Sequence, residues 1–178
     1  PNSVTKLGDK AFSDNIVLKS IYIPSSVTSI GVYAFSDCSN LTSMIVDPAN
    51  TVYDSRDNCN AIIETKTNQL MEGSNTTIIP GDIAKIRNYA FSGRATLQTI
   101  VIPNSVTSFY SEVFNKCSAL TSITLSENLT AIPSLSIANC PNLTKIIIPA
   151  SVTSISSHAF YGDTSLTIYC RVASQPTG

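Results

Sequence analysis

The chain has 178 residues, of which 43% are hydrophobic and 13% are charged, and its formal net charge at pH 7 is −1. This apolar content is enough for a packed core and excludes a disordered chain. The near-neutral charge gives no general attraction to nucleic acid or to an anionic membrane, so neither is predicted as a partner. Ser, Thr and Asn together make up about a third of the chain. This uncharged polar excess favours an extracellular β-rich protein over a cytosolic helical enzyme.

An internal repeat organises the whole chain. Regular units of equal length cover 1–23, 24–46, 80–102, 103–125 and 126–148, and a slightly shorter unit covers 149–170. A longer, irregular unit covers 47–79, and a short tail covers 171–178. Because the units adjoin without linkers, the sequence predicts a single solenoid domain over 1–178. We interpret this domain as a piece of a longer exported chain.

Each unit carries the same succession of local patterns. A segment of the form LxxIxI, such as Leu97-Ile100-Ile102, alternates apolar and other residues, which predicts a strand that ends at the following proline. Stacked units then give a parallel β-sheet on one face of the solenoid. A VxxI step follows, and after it an Ala-Phe pair within a polar stretch predicts short helical turns or irregular segments on the other face.

The phenylalanines recur at one position of the repeat. Because equivalent residues of stacked units lie about 4.8 Å apart, they form a ladder that must lie inside the solenoid. The ladder consists of Phe12, Phe35, Phe91, Phe114 and Phe160, with Ile137 in the same place in unit 126–148.

The unit PSSVTSIGVYAFSDCSNLTSMIV, which begins at Pro24, is similar to the BspA-like (Treponema-type) leucine-rich repeats of bacterial surface proteins. The segment Val52 to Gly73 also resembles an irregular unit found in gut-Bacteroidetes members of that family. The resemblance implies a β-rich leucine-rich repeat solenoid of about seven coils. It further implies a secreted or surface-anchored binding protein of the kind often called an adhesin, and hence an extracellular or cell-surface location.

No residue pattern indicates catalysis or a cofactor. The only histidine, His158, occupies a repeat position that elsewhere holds Lys10, Tyr33, Tyr89, Glu112 and Leu135. A position that accepts such different side chains is interpreted as a surface position and not as a catalytic base. We therefore expect a non-enzymatic protein without a cofactor.

The segment DSRDNCN holds Asp54, Asp57, Asn58 and Asn60. Its oxygens are of the type that calcium prefers, but the spacing differs from that of an EF-hand loop. Asp and Asn also cap loop backbone by themselves, and this interpretation is preferred while calcium stays open.

Cys38, Cys117 and Cys140 share one repeat position, filled in other units by Asn15, Arg94 and Asp163. Stacked side chains in register point the same way, which strains a bridge between neighbouring coils. We therefore predict free and largely buried thiols. Four N-x-S/T sequons, at Asn40, Asn75, Asn128 and Asn142, carry little information because the repeat itself generates most of them.

Strand alternation also defines a row of side chains that points away from the core. This outward row consists of Tyr22, Ile45, Val101, Thr124, Ile147 and Tyr169, and Ile78 continues it in the irregular unit. A parallel row of Ser20, Ser43, Thr99, Ser122 and Lys145 borders it. An exposed apolar row predicts a surface for a protein partner, such as a host extracellular or cell-surface protein, although β-branched residues also simply stabilise strands. A second candidate is a hairpin of Ala61–Thr65 and Gln69–Gly73, which we expect to project from the array.

Three functions remain open from the sequence. The preferred function is a non-catalytic binding or adhesion module, with a structural spacer in a large surface protein as the alternative. Glycan binding is a less favoured variant, because the chain has no Trp. We also expect end-to-end self-association, because the first unit has no capping helix before it and would expose Phe12 and Ile21.

Overall fold

The computed structural model describes residues 3–171 and is a β-solenoid of about seven turns, which confirms the predicted fold class. The predicted start at Pro1 and the tail after Arg171 lie outside the described residues. Within 3–171 there are fifteen short strands and one 3-10 helix, η1 (Arg56–Asn58). The strands are β1 (Lys6–Leu7), β2 (Ser20–Ile23), β3 (Ser29–Ile30), β4 (Ser43–Val46), β5 (Tyr53–Asp54), β6 (Ala61–Glu64), β7 (Gln69–Gly73), β8 (Lys85–Ile86), β9 (Thr99–Val101), β10 (Ser108–Phe109), β11 (Ser122–Thr124), β12 (Ala131–Ile132), β13 (Lys145–Ile148), β14 (Ser154–Ile155) and β15 (Thr167–Cys170).

The LxxIxI segments form the predicted parallel strands. They pair in register as β2 with β4, β9 with β11 and β13 with β15. Alternate residues of each strand point inward: Ile146 and Ile148 of β13 are buried, whereas Lys145 and Ile147 are exposed. The sheet is divided into these two-stranded ladders, and it is not one continuous sheet.

A second row of strands arises from the VxxI step, and the sequence does not predict it. Each unit contributes two residues, which pair in parallel as β1 with β3, β8 with β10 and β12 with β14. One residue of each central pair is buried, as Ile86 and Ile132 are. Each coil therefore contains two short strands, one in each row, before it reaches the Ala-Phe segment.

Of the two forms predicted for the face opposite the sheet, the Ala-Phe segments adopt the irregular one and not a turn of helix. These segments are hydrogen-bonded turns in which two positions have positive φ, for example Tyr89 (64°) and Gly93 (70°). Left-handed residues break a right-handed helix. The backbone instead bonds to the neighbouring coil, as where the Phe91 N–H donates to the Val113 carbonyl at 2.9 Å.

The phenylalanine ladder forms the interior, as predicted. Phe35, Phe91 and Phe114 are fully buried. The rings of Phe12 and Phe35 stack with centroids 5.3 Å apart, and those of Phe91 and Phe114 with centroids 5.1 Å apart. Phe12 and Phe160 are partly buried, because each lies in the first or last described coil and has a coil on one side only.

The irregular unit forms an antiparallel hairpin inside the array. Strand β6 pairs with β5 and β7, and β7 pairs in parallel with β8, so that a five-stranded sheet of order β10-β8-β7-β6-β5 results. Ile62, Ile63 and Leu70 are fully buried. The expectation that this hairpin projects from the array is therefore wrong: apolar residues on both faces bury it, and only the turn at 65–68 reaches the surface.

The irregular unit is present on the sheet side of the solenoid but is skipped on the turn side. The Asp14 N–H donates to the Ser36 carbonyl of the next coil at 2.9 Å, and the Asp37 N–H donates in the same way to Ser92 at 3.1 Å. Unit 24–46 thus contacts unit 80–102 directly there. On the sheet side, Asn75 lies between them, with its N–H donating to the Leu41 carbonyl at 2.8 Å.

Buried polar groups divide the core at this unit. One hydrophobic cluster extends from Ile23 to Met71 and a second from Cys59 to Ala159. The repeat positions held by Leu41 and Met44 in the preceding unit are filled by Ser74 and Thr77, and the Thr77 hydroxyl donates to the Asn60 carbonyl at 2.7 Å. The core is therefore aliphatic and aromatic in the regular coils and hydroxyl-rich here.

Candidate functional site

The outward row lies on the solvent side of the sheet, as the strand alternation predicts. Its apolar members Tyr22, Ile45, Ile78, Val101, Ile147 and Tyr169 are between 40% and 77% exposed, and Thr124 is exposed as well. Strand register places Tyr22 beside Ile45, Val101 beside Thr124, and Ile147 beside Tyr169. The structure therefore brings side chains from seven successive units together in one row.

Ile78 joins the two halves of the row. The backbone of Asn75 bonds to unit 24–46, and the Asn75 Oδ1 accepts the Thr96 N–H of unit 80–102 at 3.2 Å. Ile78 and Val101 line the same surface groove. The hydroxyl-rich irregular unit thus still supplies an exposed aliphatic side chain at the correct place.

The bordering polar row contains one charge. Ser20, Thr99 and Ser122 are exposed hydroxyl residues, and Lys145 is the charged member. The Lys145 Nζ lies 4.9 Å from the centroid of the Tyr169 ring, a cation–π distance. The aromatic face of Tyr169 is therefore covered on one side by the lysine side chain.

A groove interrupts the sheet where no ladder joins β11 to β13. Its volume is about 340 Å³, and it lies between Thr124 and Ile147 of the outward row. Ser122, Lys145, Glu127 and Arg171 complete its rim, and Arg171 forms an ion pair with Glu127. The sequence does not predict this groove, because nothing in the repeat marks the lost ladder.

The contacts of the DSRDNCN segment support the loop-capping interpretation. Arg56 holds Asp54 through two bonds, Nε to Oδ1 at 2.9 Å and Nη2 to Oδ2 at 2.7 Å, and it also pairs with Asp82. Asp57, Asn58 and Asn60 adopt positive φ. Within residues 3–171, no group of three or more His, Cys, Asp or Glu side chains is arranged to hold a metal ion. The Asp54 carboxylate is thus bound on both oxygens by the Arg56 guanidinium.

The cysteine position has a structural role that the sequence does not reveal. Cys117 Sγ donates to the Phe91 carbonyl and Cys140 Sγ to the Phe114 carbonyl, each at 3.2 Å. All five cysteines are free, and Cys170 is the exposed one. Burial raises the pKa of Cys140 to about 12, so its thiol stays protonated and able to donate.

The four sequon asparagines are also structural. Asn40, Asn128 and Asn142 each donate their side-chain amide to a backbone carbonyl of the preceding coil, at 2.7–2.8 Å. Asn75 donates to two carbonyls, those of Ser39 and Leu41, at 2.9 Å each. These amides hold neighbouring coils together.

His158 is exposed, and its φ is 60°. Every residue at its repeat position has a positive φ, although Tyr33, Tyr89, Glu112 and Leu135 are half-buried. The shared property of this position is therefore a left-handed backbone, which the neighbouring coils impose on whichever side chain is present.

No helix within the described range is long and apolar enough to span a membrane.

The fold and the repeat define a leucine-rich repeat solenoid with an exposed apolar row. The family model described as "BspA type Leucine rich repeat region" matches residues 1–72 and 61–167, in six copies. The chain belongs to this BspA-type leucine-rich repeat family. The family and its fold are typically non-catalytic, and leucine-rich repeat solenoids generally mediate protein–protein interaction. No curated protein matches the chain.

Solved structures of bacterial leucine-rich repeat proteins share the fold. A leucine-rich cell surface protein of Faecalibacterium prausnitzii A2-165 is 33% identical, with a TM-score of 0.81 over 94% of this chain and 45% of its own length. The pneumococcal vaccine antigen PcpA has a TM-score of 0.70 at 19% identity, over 86% of this chain and 39% of its own length. The chain thus spans less than half of either protein.

Proposed function

We propose that the chain is a non-catalytic protein-binding module of a bacterial surface or secreted protein, and that the outward row contacts the partner in adhesion. The observation that carries this proposal is the row itself. Six aliphatic or aromatic side chains from six of the seven units lie exposed on one face of the solenoid, and strand register places Tyr22 beside Ile45 and Ile147 beside Tyr169. Contiguous apolar surface of this kind marks interaction sites on soluble proteins.

The two tyrosines of the row support a binding role. Val, Ile and Tyr all stabilise strands through their same-face neighbours, so strand preference alone does not separate the two roles. Tyr22 and Tyr169 nevertheless each expose about half of their surface. An exposed tyrosine combines a large apolar area with a hydroxyl and is enriched among the residues that dominate protein interfaces.

The descriptions of the relatives support an extracellular location. The Faecalibacterium protein is described as a cell surface protein and PcpA as a vaccine antigen. A similar extracellular location for this chain supports host extracellular or cell-surface proteins as partners. In this proposal residues 1–178 act as one solenoid domain, and the low charge of the chain makes most of the binding energy insensitive to salt.

The test is the double variant Val101→Asp/Ile147→Asp, assayed for folding by circular dichroism and for binding to immobilised host extracellular proteins and to whole cells. The matched control is Ile16→Asp/Val17→Asp, which places two carboxylates on apolar side chains that are exposed outside the row. We expect both proteins to fold and binding to fall at least tenfold in the first variant only.

Other outcomes separate the alternatives. Equal binding by the two folded variants would remove the outward row as the site, and absence of any partner for the wild type would favour a structural spacer. Loss of folding in the Val101/Ile147 variant alone would show that the row stabilises the sheet. Size-exclusion chromatography of the same samples tests the predicted end-to-end self-association.

A further inference from the structure

The groove between β11 and β13 differs in chemistry from the rest of the outward row. Thr124 and Ile147 form two of its sides, so it is continuous with the row. Its rim adds two cationic side chains, Lys145 and Arg171, and one carboxylate, Glu127. The remainder of the row and its polar border carry no charge.

The balance of charge at the rim is positive. Arg171 is paired with Glu127, so these two charges offset each other. Lys145 forms no ion pair with any residue between 3 and 171, and its Nζ contacts the Tyr169 ring instead. A lysine over an aromatic face keeps its donors free for an acceptor on the other side.

We propose that this groove receives a carboxylate from the protein partner, an Asp or Glu side chain next to an apolar residue, with Lys145 as its counter-ion. The inference rests on the proposed function and names one element of the partner's chemistry. The ammonium of Lys145 and the hydroxyls of Ser122 and Thr124 all donate to a carboxylate. Ile147 on the adjacent wall accepts the apolar neighbour.

A peptide carboxylate fits this groove better than the carboxylate of an acidic sugar. Sugar rings bind by stacking on open aromatic faces, and the residues that line this groove include no aromatic side chain. The adjoining wall is aliphatic, which suits an amino-acid side chain.

The probe is a phage-displayed library of random twelve-residue peptides, selected on the wild-type chain. Each selected peptide is then measured against the Val101→Asp/Ile147→Asp variant, which tests the proposed function. For peptides that depend on the row, we expect one Asp or Glu whose change to Asn or Gln weakens binding about fivefold, the upper end for a partly exposed ion pair.

The matching protein variants are Lys145→Met, which keeps the apolar stem, and Lys145→Arg, which keeps the charge. We expect Lys145→Met to bind the acidic peptide about fivefold more weakly than the wild type does. Both proteins should bind the amide version of the peptide with the same affinity, because a direct ion pair can be lost only once in a double-mutant cycle. Lys145→Arg retains affinity, and the control Lys85→Met, on a different strand row, changes nothing. The fivefold difference in affinity for the acidic peptide between the wild type and Lys145→Met narrows in about 0.5 M NaCl, because salt screens the ion pair.

The outcomes separate the two proposals. Peptides that bind the Val101/Ile147 variant as well as the wild type overturn the proposed function. Two outcomes overturn the carboxylate groove alone. Either the row-dependent peptides lack an acidic residue, or their acidic and amide forms both bind Lys145→Met as tightly as the wild type. Row-dependent binding of polygalacturonate without any acidic peptide would assign the groove to a glycan carboxylate and also overturn the inference.

Discussion

The regular coils and the irregular unit stabilise the same solenoid in different ways. In unit 103–125 the Cys117 thiol satisfies the Phe91 carbonyl of the preceding coil, and apolar residues fill every inner strand position. In unit 80–102, which follows the irregular unit, Arg94 takes the repeat position of Cys117. Its Nη1 donates to the Phe35 carbonyl at 2.8 Å, and its Nε donates to the Gly73 carbonyl at 2.6 Å. A buried guanidinium replaces a buried thiol because two coils, and not one, must be reached.

This comparison shows what an interruption of a repeat demands. The regular coils need one weak donor for each coil, whereas the irregular unit needs several donors in a buried place. Arg94 is fully buried, and its Nη2 lies 3.8 Å from Glu72 Oε2. Neither of these two atoms has a hydrogen-bond partner. Single substitutions among the polar groups at the irregular unit should therefore lower stability more than equivalent substitutions in a regular coil.

The largest effect is expected from Arg94→Ala. The substitution removes the Arg94 donors from the Phe35 and Gly73 carbonyls and leaves a cavity in place of a fully buried side chain, and it should lower the free energy of unfolding by about 3–5 kcal/mol. The corresponding change in a regular coil, Cys117→Ala, should cost about 1 kcal/mol, because it removes a single weak donor. Urea denaturation measures both.

A variant that removes the pair together tests the physical reason. Arg94→Met/Glu72→Met should recover part of the loss, because the methionine side chains refill the space and no polar side chain remains buried without a partner. If Arg94→Ala costs no more than Cys117→Ala, the special role of Arg94 at the irregular unit is wrong.

A smaller effect is expected from Gly73→Ala. A Cβ at Gly73 would overlap Cε1 of the buried Phe91 ring, so the hairpin end or the ring must move. We expect a loss of about 1–3 kcal/mol, as for other overpacked cores. The control is Gly81→Ala, where nothing lies within 4 Å of the added Cβ. Equal thermal midpoints for the two variants would contradict the close approach of Gly73 to Phe91.

The smallest effect, taken over a single pH unit, is a dependence of stability on pH. Burial raises the pKa of Glu72 from its ordinary 4.5 to about 8, against the opposing charges of Arg94 and Arg87. The folded state therefore binds the Glu72 proton more tightly than the unfolded state. The resulting stability is complete below about pH 4.5 and is lost as the pH rises through about 8, with a slope of at most about 1.4 kcal/mol per pH unit.

Glu72→Gln should abolish this slope between pH 6 and 8. The control Glu64→Gln, at a half-buried position at the end of β6, should retain it. Burial also raises the pKa of Asp163 to about 6, which adds its own loss of stability in a lower window, from about pH 4 to 6. Denaturation curves measured at pH 6, 7 and 8 avoid most of that contribution. A slope that persists in Glu72→Gln would assign it to another group.

The repeat makes much of the fold predictable. Residues at one repeat position share one environment, so the phenylalanine ladder, the parallel strands and the exposure of the outward row all follow from alignment of the units. The predicted bounds of the hairpin are nearly right, at 61–64 and 69–73 in the structure against 61–65 and 69–73 expected. Its burial is not predictable in this way, because it depends on the pairing of β7 with β8 in the next unit.

Other features leave little trace in the residues. The second row of strands has two residues for each unit, too few to show alternation. The left-handed turns accept Lys10, Tyr33 and His158 alike, because hydrogen bonds from adjacent coils fix the backbone. Arg94 is visible as an exception at the cysteine position, but its bond to Phe35 requires that the irregular unit be skipped on the turn side. The groove beside Lys145 depends on a missing ladder, which no residue pattern encodes.

The direct contact between units 24–46 and 80–102 on the turn side has a consequence for how such arrays evolve. Because Asp37 already bonds to Ser92 as neighbouring regular coils do, removal of residues 47–79 would leave that junction in place and connect Val46 to Pro80. The chain would then read as an uninterrupted regular repeat. An irregular unit of this kind can thus be inserted between two regular coils, or removed, without disturbing their contact on the turn side.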